Sequence, residues 1–149
     1  MRLLKSFGYA LRGILTCLLT EQNFRIHITA VITVLIFARL YGLPLGDYPP
    51  ILLCFGLVMA MEAMNTAIEH TVDLTGTAPS PHGKIAKDTA AAAVLLAALA
   101  SVAVAITTFS DVERLLHIVK LFTRPVPILA LIGYIAAFWC FVFLPRRKL

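Results

Sequence analysis

Residues 62–73 read Glu-Ala-Met-Asn-Thr-Ala-Ile-Glu-His-Thr-Val-Asp and follow an uncharged apolar run from Ile51 to Met61. At about 100° of rotation per helical residue, four polar side chains fall within an arc of about 80° on one helix face. They are Glu62, Asn65, Glu69 and Asp73. Interhelical hydrogen bonding alone is the plainer interpretation of such side chains. We favour a site that holds a cation or water, because carboxylates inside a membrane are costly unless they face protein, water or a cation.

Composition indicates an all-α integral membrane protein. Of the 149 residues, 60% are hydrophobic and only 14% are charged, and the mean hydropathy is +0.88. Such a chain is too apolar for an ordinary soluble domain. The formal charge is +5, but the basic residues lie beside hydrophobic segments and form no aromatic-basic patch. A nucleic-acid partner is therefore not expected. Three cysteines lie far apart in apolar segments, without the spacing of metal ligands: Cys17, Cys54 and Cys140.

The apolar pattern predicts a surface helix followed by four membrane spans. In residues 1–20 apolar side chains recur at three- and four-residue steps, which is typical of an amphipathic helix on the membrane surface. Residues 110–124 mix charges with leucines, which indicates an interfacial segment. The predicted spans are about 24–45, 50–74, 84–109 and 126–144. We therefore expect a three-span core over 1–109 and a C-terminal part, 110–149, with one additional span.

The distribution of Lys and Arg predicts the topology. Basic residues cluster at the N-terminus, in the breaker-rich loop 75–83 with the following Lys84 and Lys87, and in the tail Arg146-Arg147-Lys148. These segments are expected on the cytoplasmic side, so both termini are cytoplasmic. Three side chains near the ends of the first span are expected to extend toward the interface: Arg25, His27 and Arg39.

This topology brings Glu21, the polar stripe and Lys87 with Asp88 to one membrane boundary. Carboxylate and amide oxygens suit Mg²⁺, whose other positions can hold phosphates and water. Phosphoryl transfer needs positioning, charge neutralisation and a base, and a nearby lysine complements phosphate charge. Neither a Gly-x-x-x-x-Gly-Lys-Ser/Thr loop nor a protein-kinase glycine-rich loop is present. The chemistry alone leaves a membrane kinase and an ion-coupled carrier open.

Four motifs resemble the prokaryotic diacylglycerol kinase and undecaprenol kinase family, small membrane enzymes that phosphorylate a lipid alcohol with MgATP. They are Ser-Phe-Gly-Tyr-Ala-Leu-Arg-Gly at 6–13, Glu-Gln-Asn-Phe-Arg-Ile-His at 21–27, Glu-x-x-Asn-Thr-Ala-Ile-Glu-x-x-Val-Asp at 62–73, and Ala-Lys-Asp at 86–88. The resemblance covers about residues 1–109. The motif at 62–73 is the most specific of the four.

The resemblance implies roles for individual residues. Glu62 resembles the base that accepts the proton of the lipid hydroxyl, Glu21 and Glu69 resemble metal ligands, and Asn65 supports them. Asn23 and Arg25 resemble positions near the lipid headgroup. Asp73 resembles either a nucleotide-side residue or a helix-end partner of Lys84, and both stay open. The residues implied in ATP binding are Arg2, Tyr9, Glu21, Glu69, Lys87 and Asp88.

The resemblance thus implies ATP-dependent phosphorylation of a lipid hydroxyl at the cytoplasmic boundary of the bacterial inner membrane, with Mg²⁺ as cofactor. Residues 23–27 and 65–69 look more like the undecaprenol-using branch, and diacylglycerol is the alternative acceptor. The resemblance also implies a homotrimer with composite sites between subunits. An ion-coupled carrier is disfavoured because the chain lacks an internal repeat. A catalytically silent scaffold is disfavoured by the intact set of Glu21, Glu62, Glu69 and Lys87. The fourth span could stabilise the oligomer, cover a lipid entrance or serve as an anchor.

Overall fold

The computed structural model describes residues 2–74, 76 and 80–145, and all regular structure within these ranges is helical. The helices are α1 (Arg2–Thr20), α2 (Gln22–Tyr41), α3 (Tyr48–Leu74), α4 (Pro81–Thr108), α5 (Val112–Leu121) and α6 (Pro125–Val142), with one 3-10 turn (Leu45–Asp47) before α3. The all-α fold class is confirmed. The basic tail 146–148 and loop positions 75 and 77–79 lie outside the described residues.

Among the described residues, five helical segments are long and apolar enough to cross a membrane. They are Arg2–Thr20, Gln22–Tyr41, Leu45–Leu74, Pro81–Thr108 and Pro125–Val142. An integral membrane protein is thereby confirmed. By length and composition α1 could also cross a membrane. The sequence pattern predicts that it lies on the membrane surface, and this position stays a prediction.

Helix α2 ends at Tyr41, four residues before the predicted end of the first span at Leu45. Gly42 has a φ of 70° in the left-handed region, and its N–H bonds to the carbonyls of Ala38 and Arg39. Glycine adopts this conformation without the steric cost that a side chain brings, so it closes the helix. Gly42, the first helix-breaking residue after the apolar run, therefore sets the end of α2.

Helix α4 begins at Pro81, three residues before the predicted start of the third span at Lys84. Ser80 is the N-cap, and its side chain accepts a hydrogen bond from the backbone N–H of Gly83. Proline is well suited to the first helical position because no intrahelical bond is lost there. Pro81 and Gly83, which we had assigned to a loop of helix breakers, thus form the first turn of the helix.

Helices α3 and α4 pack most extensively and form the hairpin that positions the polar stripe. Small or branched side chains of α4 are buried: Ala90, Val94 and Ala97. Small residues let two helix backbones approach closely in a membrane. The two helices also approach closely at Gly83, where an added Cβ would lie 2.9 Å from Cγ1 of Val72 on α3. Helices α1 and α2 also pack against α3.

Candidate active site

The structure brings three carboxylates together from two parts of the chain. Glu62 lies in α3, and its carboxyl group interacts electrostatically with those of Glu21 and Glu69. Glu21 lies between α1 and α2, in an extended backbone conformation that ends one helix and begins the next. Because like charges repel and burial disfavours charge, such a group needs a cation or shared protons. The arrangement therefore suits a cation site.

Burial decreases along the stripe from Glu62 to Asp73. Glu62 is 3% exposed and Asn65 is 8% exposed, whereas Glu69 is half-buried and Asp73 is exposed. Helix α3 is continuous over all four residues, as the spacing predicted. The Glu62 end of the stripe is therefore enclosed by protein, and the Asp73 end is exposed.

Asn65 and Glu69 form one unit within the stripe. Asn65 Nδ2 donates a hydrogen bond of 3.0 Å to Oε1 of Glu69, one helical turn away. Among the described residues, Oδ1 of Asn65 is buried without a hydrogen-bond partner. A buried amide oxygen without a partner is costly and calls for an explanation. A bound cation or a water molecule held by that cation would satisfy it.

Two further residues surround Glu62. The side-chain amide of Asn23 interacts with its carboxyl group. The buried thiol of Cys17 contacts the side chain of Thr66, whose hydroxyl also donates to the carbonyl of Glu62 at 3.1 Å. The sequence pattern indicates only an apolar environment for Cys17. The contact with Thr66 follows from the packing of α1 on α3, which no local pattern shows.

Lys87 lies at the open end of the stripe and pairs with Asp73, with Nζ and Oδ1 2.6 Å apart. Within the described ranges this pairing replaces the alternative contact between Asp73 and Lys84. Asp88 follows Lys87 on α4 and is exposed. The hairpin therefore places one cationic side chain one turn beyond Glu69 on the exposed side of the site.

Arg2 and Tyr9 lie far from the carboxylates along α1. At 1.5 Å per helical residue, Tyr9 is about 18 Å and Arg2 about 28 Å from Glu21. Both are exposed, and the guanidinium carbon of Arg12 lies 4.9 Å from the centre of the Tyr9 ring. A single protomer thus does not bring these two predicted ATP contacts to the acidic group.

Arg25 differs from the expectation that it extends toward the interface. It is 3% exposed, and its guanidinium donates to three backbone carbonyls. They are Leu18 O at 2.8 Å, Leu19 O at 2.8 Å and Leu144 O at 2.7 Å. The charge is satisfied inside the protein because helix ends present carbonyls without intrahelical partners.

The donor set fits Mg²⁺ but does not form a complete cage. In the described part of the chain, no three His, Cys, Asp or Glu side chains are arranged to hold a metal on their own. Mg²⁺ is commonly held by one or two carboxylates with phosphates and water as the remaining ligands. The carboxylates grouped around Glu62, together with the unpartnered oxygen of Asn65, could supply ligands of this kind.

Comparison with known proteins agrees with this geometry. The family model described as prokaryotic diacylglycerol kinase matches residues 8–109. The chain is 42% identical over 108 residues to the undecaprenol kinase of Bacillus subtilis (strain 168), an alignment that covers 72% of this chain and 88% of that protein. No solved structure matches the chain.

Other relatives carry the name diacylglycerol kinase. The chain is 46% identical over 103 residues to that of Synechocystis sp. (strain ATCC 27184 / PCC 6803 / Kazusa), with 68% of this chain and 59% of that protein aligned. It therefore spans less than two thirds of the cyanobacterial protein. It is 31% identical over 101 residues to that of Escherichia coli (strain K12), covering 68% and 83% of the two chains.

A helical membrane protein with this acidic group and these matches is a lipid kinase, which transfers a phosphoryl group to a lipid alcohol. The chain belongs to the prokaryotic diacylglycerol kinase family. Residues 110–145, which hold α5 and α6, lie outside the matched region. Family membership favours the kinase over the ion-coupled carrier.

Proposed function

We propose that this chain transfers the terminal phosphoryl group of ATP to the hydroxyl of undecaprenol, giving undecaprenyl phosphate. The observation that carries the proposal is Glu62, a carboxylate 3% exposed within a membrane helix and grouped with Glu21 and Glu69. An intramembrane ionisable side chain of this kind is expected to have a function.

The acceptor assignment is supported by two further features. Residues 23–27 and 65–69 resemble the undecaprenol-using branch, and the alignment with the Bacillus subtilis undecaprenol kinase covers 88% of that protein. Diacylglycerol is the second candidate acceptor, because the cyanobacterial diacylglycerol kinase is 46% identical to this chain. The hydroxyl chemistry is the same for both lipids.

In the proposed mechanism Glu62 accepts the proton of the lipid hydroxyl as that oxygen attacks the terminal phosphorus of ATP. The bond between this phosphorus and the bridging oxygen breaks, and ADP leaves. Asn23, whose side-chain amide interacts with the Glu62 carboxyl group, is proposed to orient it. A positioned base typically contributes a factor of about 10² to 10⁴ to the rate. The burial of Glu62 keeps water from competing with the lipid hydroxyl.

Glu21 and Glu69 are proposed to hold Mg²⁺, with the Oδ1 atom of Asn65 beside them. When bound, Mg²⁺ neutralises the negative charge of the ATP phosphates. Lys87 is proposed to exchange its partner Asp73 for a phosphate oxygen. Asp88, next to it on α4, is proposed to contact the nucleotide.

An apolar groove gives the hydrocarbon chain of the acceptor a place to lie. It has a volume of about 230 Å³ between α2, α3 and α4, and His27 and Met59 line it. His27 lies one turn from Asn23, and Met59 lies one turn from Glu62. A chain in this groove would bring its hydroxyl end to the proposed base.

The site is proposed to be composite within a homotrimer at the cytoplasmic face of the bacterial inner membrane. Arg2 and Tyr9 lie too far along α1 to join the acidic group of their own protomer. In a trimer they would contact a nucleotide held by a neighbouring subunit. The basic N-terminal segment supports the cytoplasmic placement.

The experiment uses the full chain in lipid bilayers with Mg²⁺ and ATP labelled at the terminal phosphate. Undecaprenol and diacylglycerol are offered separately and then in equal amounts. Labelled undecaprenyl phosphate as the main product supports the proposal. Preferential labelling of diacylglycerol would reverse the order of the two acceptors, and labelling of neither would remove the proposed function.

A further inference from the structure

The C-terminal extension, residues 110–145, lies outside the family match and contacts the C-terminal end of α2. The backbone N–H of Asp111 donates to the hydroxyl of Tyr41 at 2.8 Å, and Nη1 of Arg114 donates to the carbonyl of Gly42 at 3.1 Å. Tyr41 is buried, and the Arg114 guanidinium carbon lies 5.4 Å from the centre of its ring. Helix α5 is therefore fixed to the end of α2 farthest from Glu21.

Helix α6 continues along α2 toward the carboxylates. The hydroxyls of Tyr134 and Thr33 are 2.5 Å apart, and the same tyrosine hydroxyl lies 3.4 Å from the carbonyl of Thr29. Val142, in the last turn of α6, is 2% exposed. Two residues later, the carbonyl of Leu144 accepts a hydrogen bond from Arg25. The extension thus contacts α2 along its length, from its C-terminal end to its first turn.

Arg25 joins three segments at one buried charge. Its Nε and Nη2 atoms donate to the carbonyls of Leu18 and Leu19 in the last turn of α1, while Nη1 donates to the carbonyl of Leu144. Hydrogen bonds from a charged donor are about twice as strong as neutral ones. Loss of the Leu144 carbonyl would leave a buried guanidinium N–H without this partner and would weaken its hold on α1.

Glu21 lies at the junction that Arg25 fixes. Its backbone N–H donates to the carbonyl of Cys17 at 2.9 Å, and its Oε1 accepts a hydrogen bond of 3.0 Å from Thr20. Both the backbone and the carboxylate of Glu21 are therefore bonded to the last turn of α1. Arg25, in the first turn of α2, donates hydrogen bonds to the same last turn of α1.

We propose that Arg25 is a positioning residue for Glu21, and that the Leu144 carbonyl at the end of α6 holds the Arg25 guanidinium in place. The additional helix is then part of the site's support rather than a passive anchor. This inference rests on the proposed function, because it takes Glu21 as a magnesium ligand. Supporting residues that orient a metal ligand typically change metal affinity by about 10- to 100-fold.

Val142→Ala tests the inference, because it loosens the last turn of α6 next to Leu144. Val126→Ala is the matched control, since Val126 is 74% exposed at the start of the same helix. The first measurement is amide hydrogen exchange in residues 17–24 without metal or nucleotide. We expect faster exchange in Val142→Ala and unchanged exchange in Val126→Ala.

The second measurement is the Mg²⁺ concentration that gives half-maximal binding of a non-hydrolysable ATP analogue. We expect Val142→Ala to raise it roughly three- to tenfold and Arg25→Lys to raise it at least as much. The turnover number at saturating Mg²⁺ should stay within about twofold of wild type for Val142→Ala. A purely structural role would instead lower stability without this selective change.

A double variant shows whether α6 acts through Arg25. In the Arg25→Lys background, Val142→Ala should cause little further change in the Mg²⁺ requirement, because contacting residues are not additive. Additive effects, or equal Mg²⁺ requirements in Val142→Ala and Val126→Ala, would overturn the inference. If Arg25→Lys does not assemble, the comparison of the two valine variants decides alone.

Failure of the proposed function is distinguishable from failure of this inference. A wild-type chain that labels no lipid but binds the analogue with Mg²⁺ would remove the kinase proposal and leave the role of Arg25 to the binding data. An active wild type with identical valine variants would overturn this inference and leave the proposed function standing.

Discussion

Asn65 donates its side-chain N–H to the carboxylate of Glu69 at 3.0 Å, and both side chains lie on one face of α3. This bond restricts the rotamers of Glu69 and turns the amide oxygen of Asn65 away from that carboxylate. Within the residues described, that oxygen is buried and has no partner. Asn65 therefore orients one proposed metal ligand, and its own buried oxygen is left for a bound cation or water.

Replacing Asn65 by Ala should weaken Mg²⁺-dependent nucleotide binding. The variant removes the hydrogen bond to Glu69, and such supporting contacts are worth about 10- to 100-fold in metal affinity. The measurement is a Mg²⁺ titration of analogue binding. Thr71→Ala, at an exposed position of the same helix, serves as the control. A Mg²⁺ requirement equal to wild type in Asn65→Ala would contradict the supporting role.

Glu69→Gln separates charge from shape at the neighbouring position. Glutamine keeps the length of the side chain and an oxygen that accepts from Asn65, but it carries no charge. We expect the Mg²⁺ requirement to rise at least about tenfold while the chain still assembles. Unchanged metal dependence with lowered thermal stability would show that Glu69 only packs the helix.

Because Lys87 and Asp73 form a pair, replacing one or the other should change the KM for ATP differently. Their side chains are 36% and 65% exposed, so the pair should contribute less than about 1 kcal/mol to stability. Lys87→Met should raise the KM for ATP, because a phosphate contact is lost. Asp73→Asn should leave that KM unchanged or lower it, because Lys87 is released.

These KM values decide the role of Asp73. A higher KM for ATP in Asp73→Asn would contradict the release of Lys87 and would support a direct contact between Asp73 and the nucleotide. Steady-state kinetics at fixed, saturating lipid and Mg²⁺ provide both values. The thermal midpoint of each variant controls for unfolding.

Gly83→Ala should destabilise the hairpin of α3 and α4. The added Cβ would lie 2.9 Å from Cγ1 of Val72, whose branched side chain has few alternative rotamers in a helix. Overpacking of this kind costs about 1 to 3 kcal/mol. Gly56→Ala is the control, because nothing lies within 4 Å of its Cβ. Equal unfolding midpoints for both variants in detergent would contradict the close approach.

The sequence predicted the helices and the polar stripe because both depend on local periodicity. Continuous apolar runs define α3 and α4, and the spacing of Glu62, Asn65 and Glu69 places them on one face. The helix ends were less predictable. Gly42 and Pro81 both act as helix-terminal residues, and only the cap geometry shows which side of each boundary they occupy.

Contacts between distant residues were the other gap. The burial of Arg25 depends on the carbonyl of Leu144, 119 residues later in the chain, which no local pattern indicates. The pairing of Asp73 with Lys87 rather than Lys84 depends on where α4 begins and how it lies against α3. The closeness of Cys17 to Thr66 likewise follows from the packing of α1 on α3.

The base assignment is tested most directly by the rate of phosphoryl transfer in Glu62→Gln. Wild type and variant are placed in the same bilayers with saturating lipid alcohol, Mg²⁺ and labelled ATP, and analogue binding is measured in parallel. We expect transfer to fall by about 10² to 10⁴ while assembly and Mg²⁺-dependent nucleotide affinity are kept. Wild-type turnover by Glu62→Gln would contradict the account of this site.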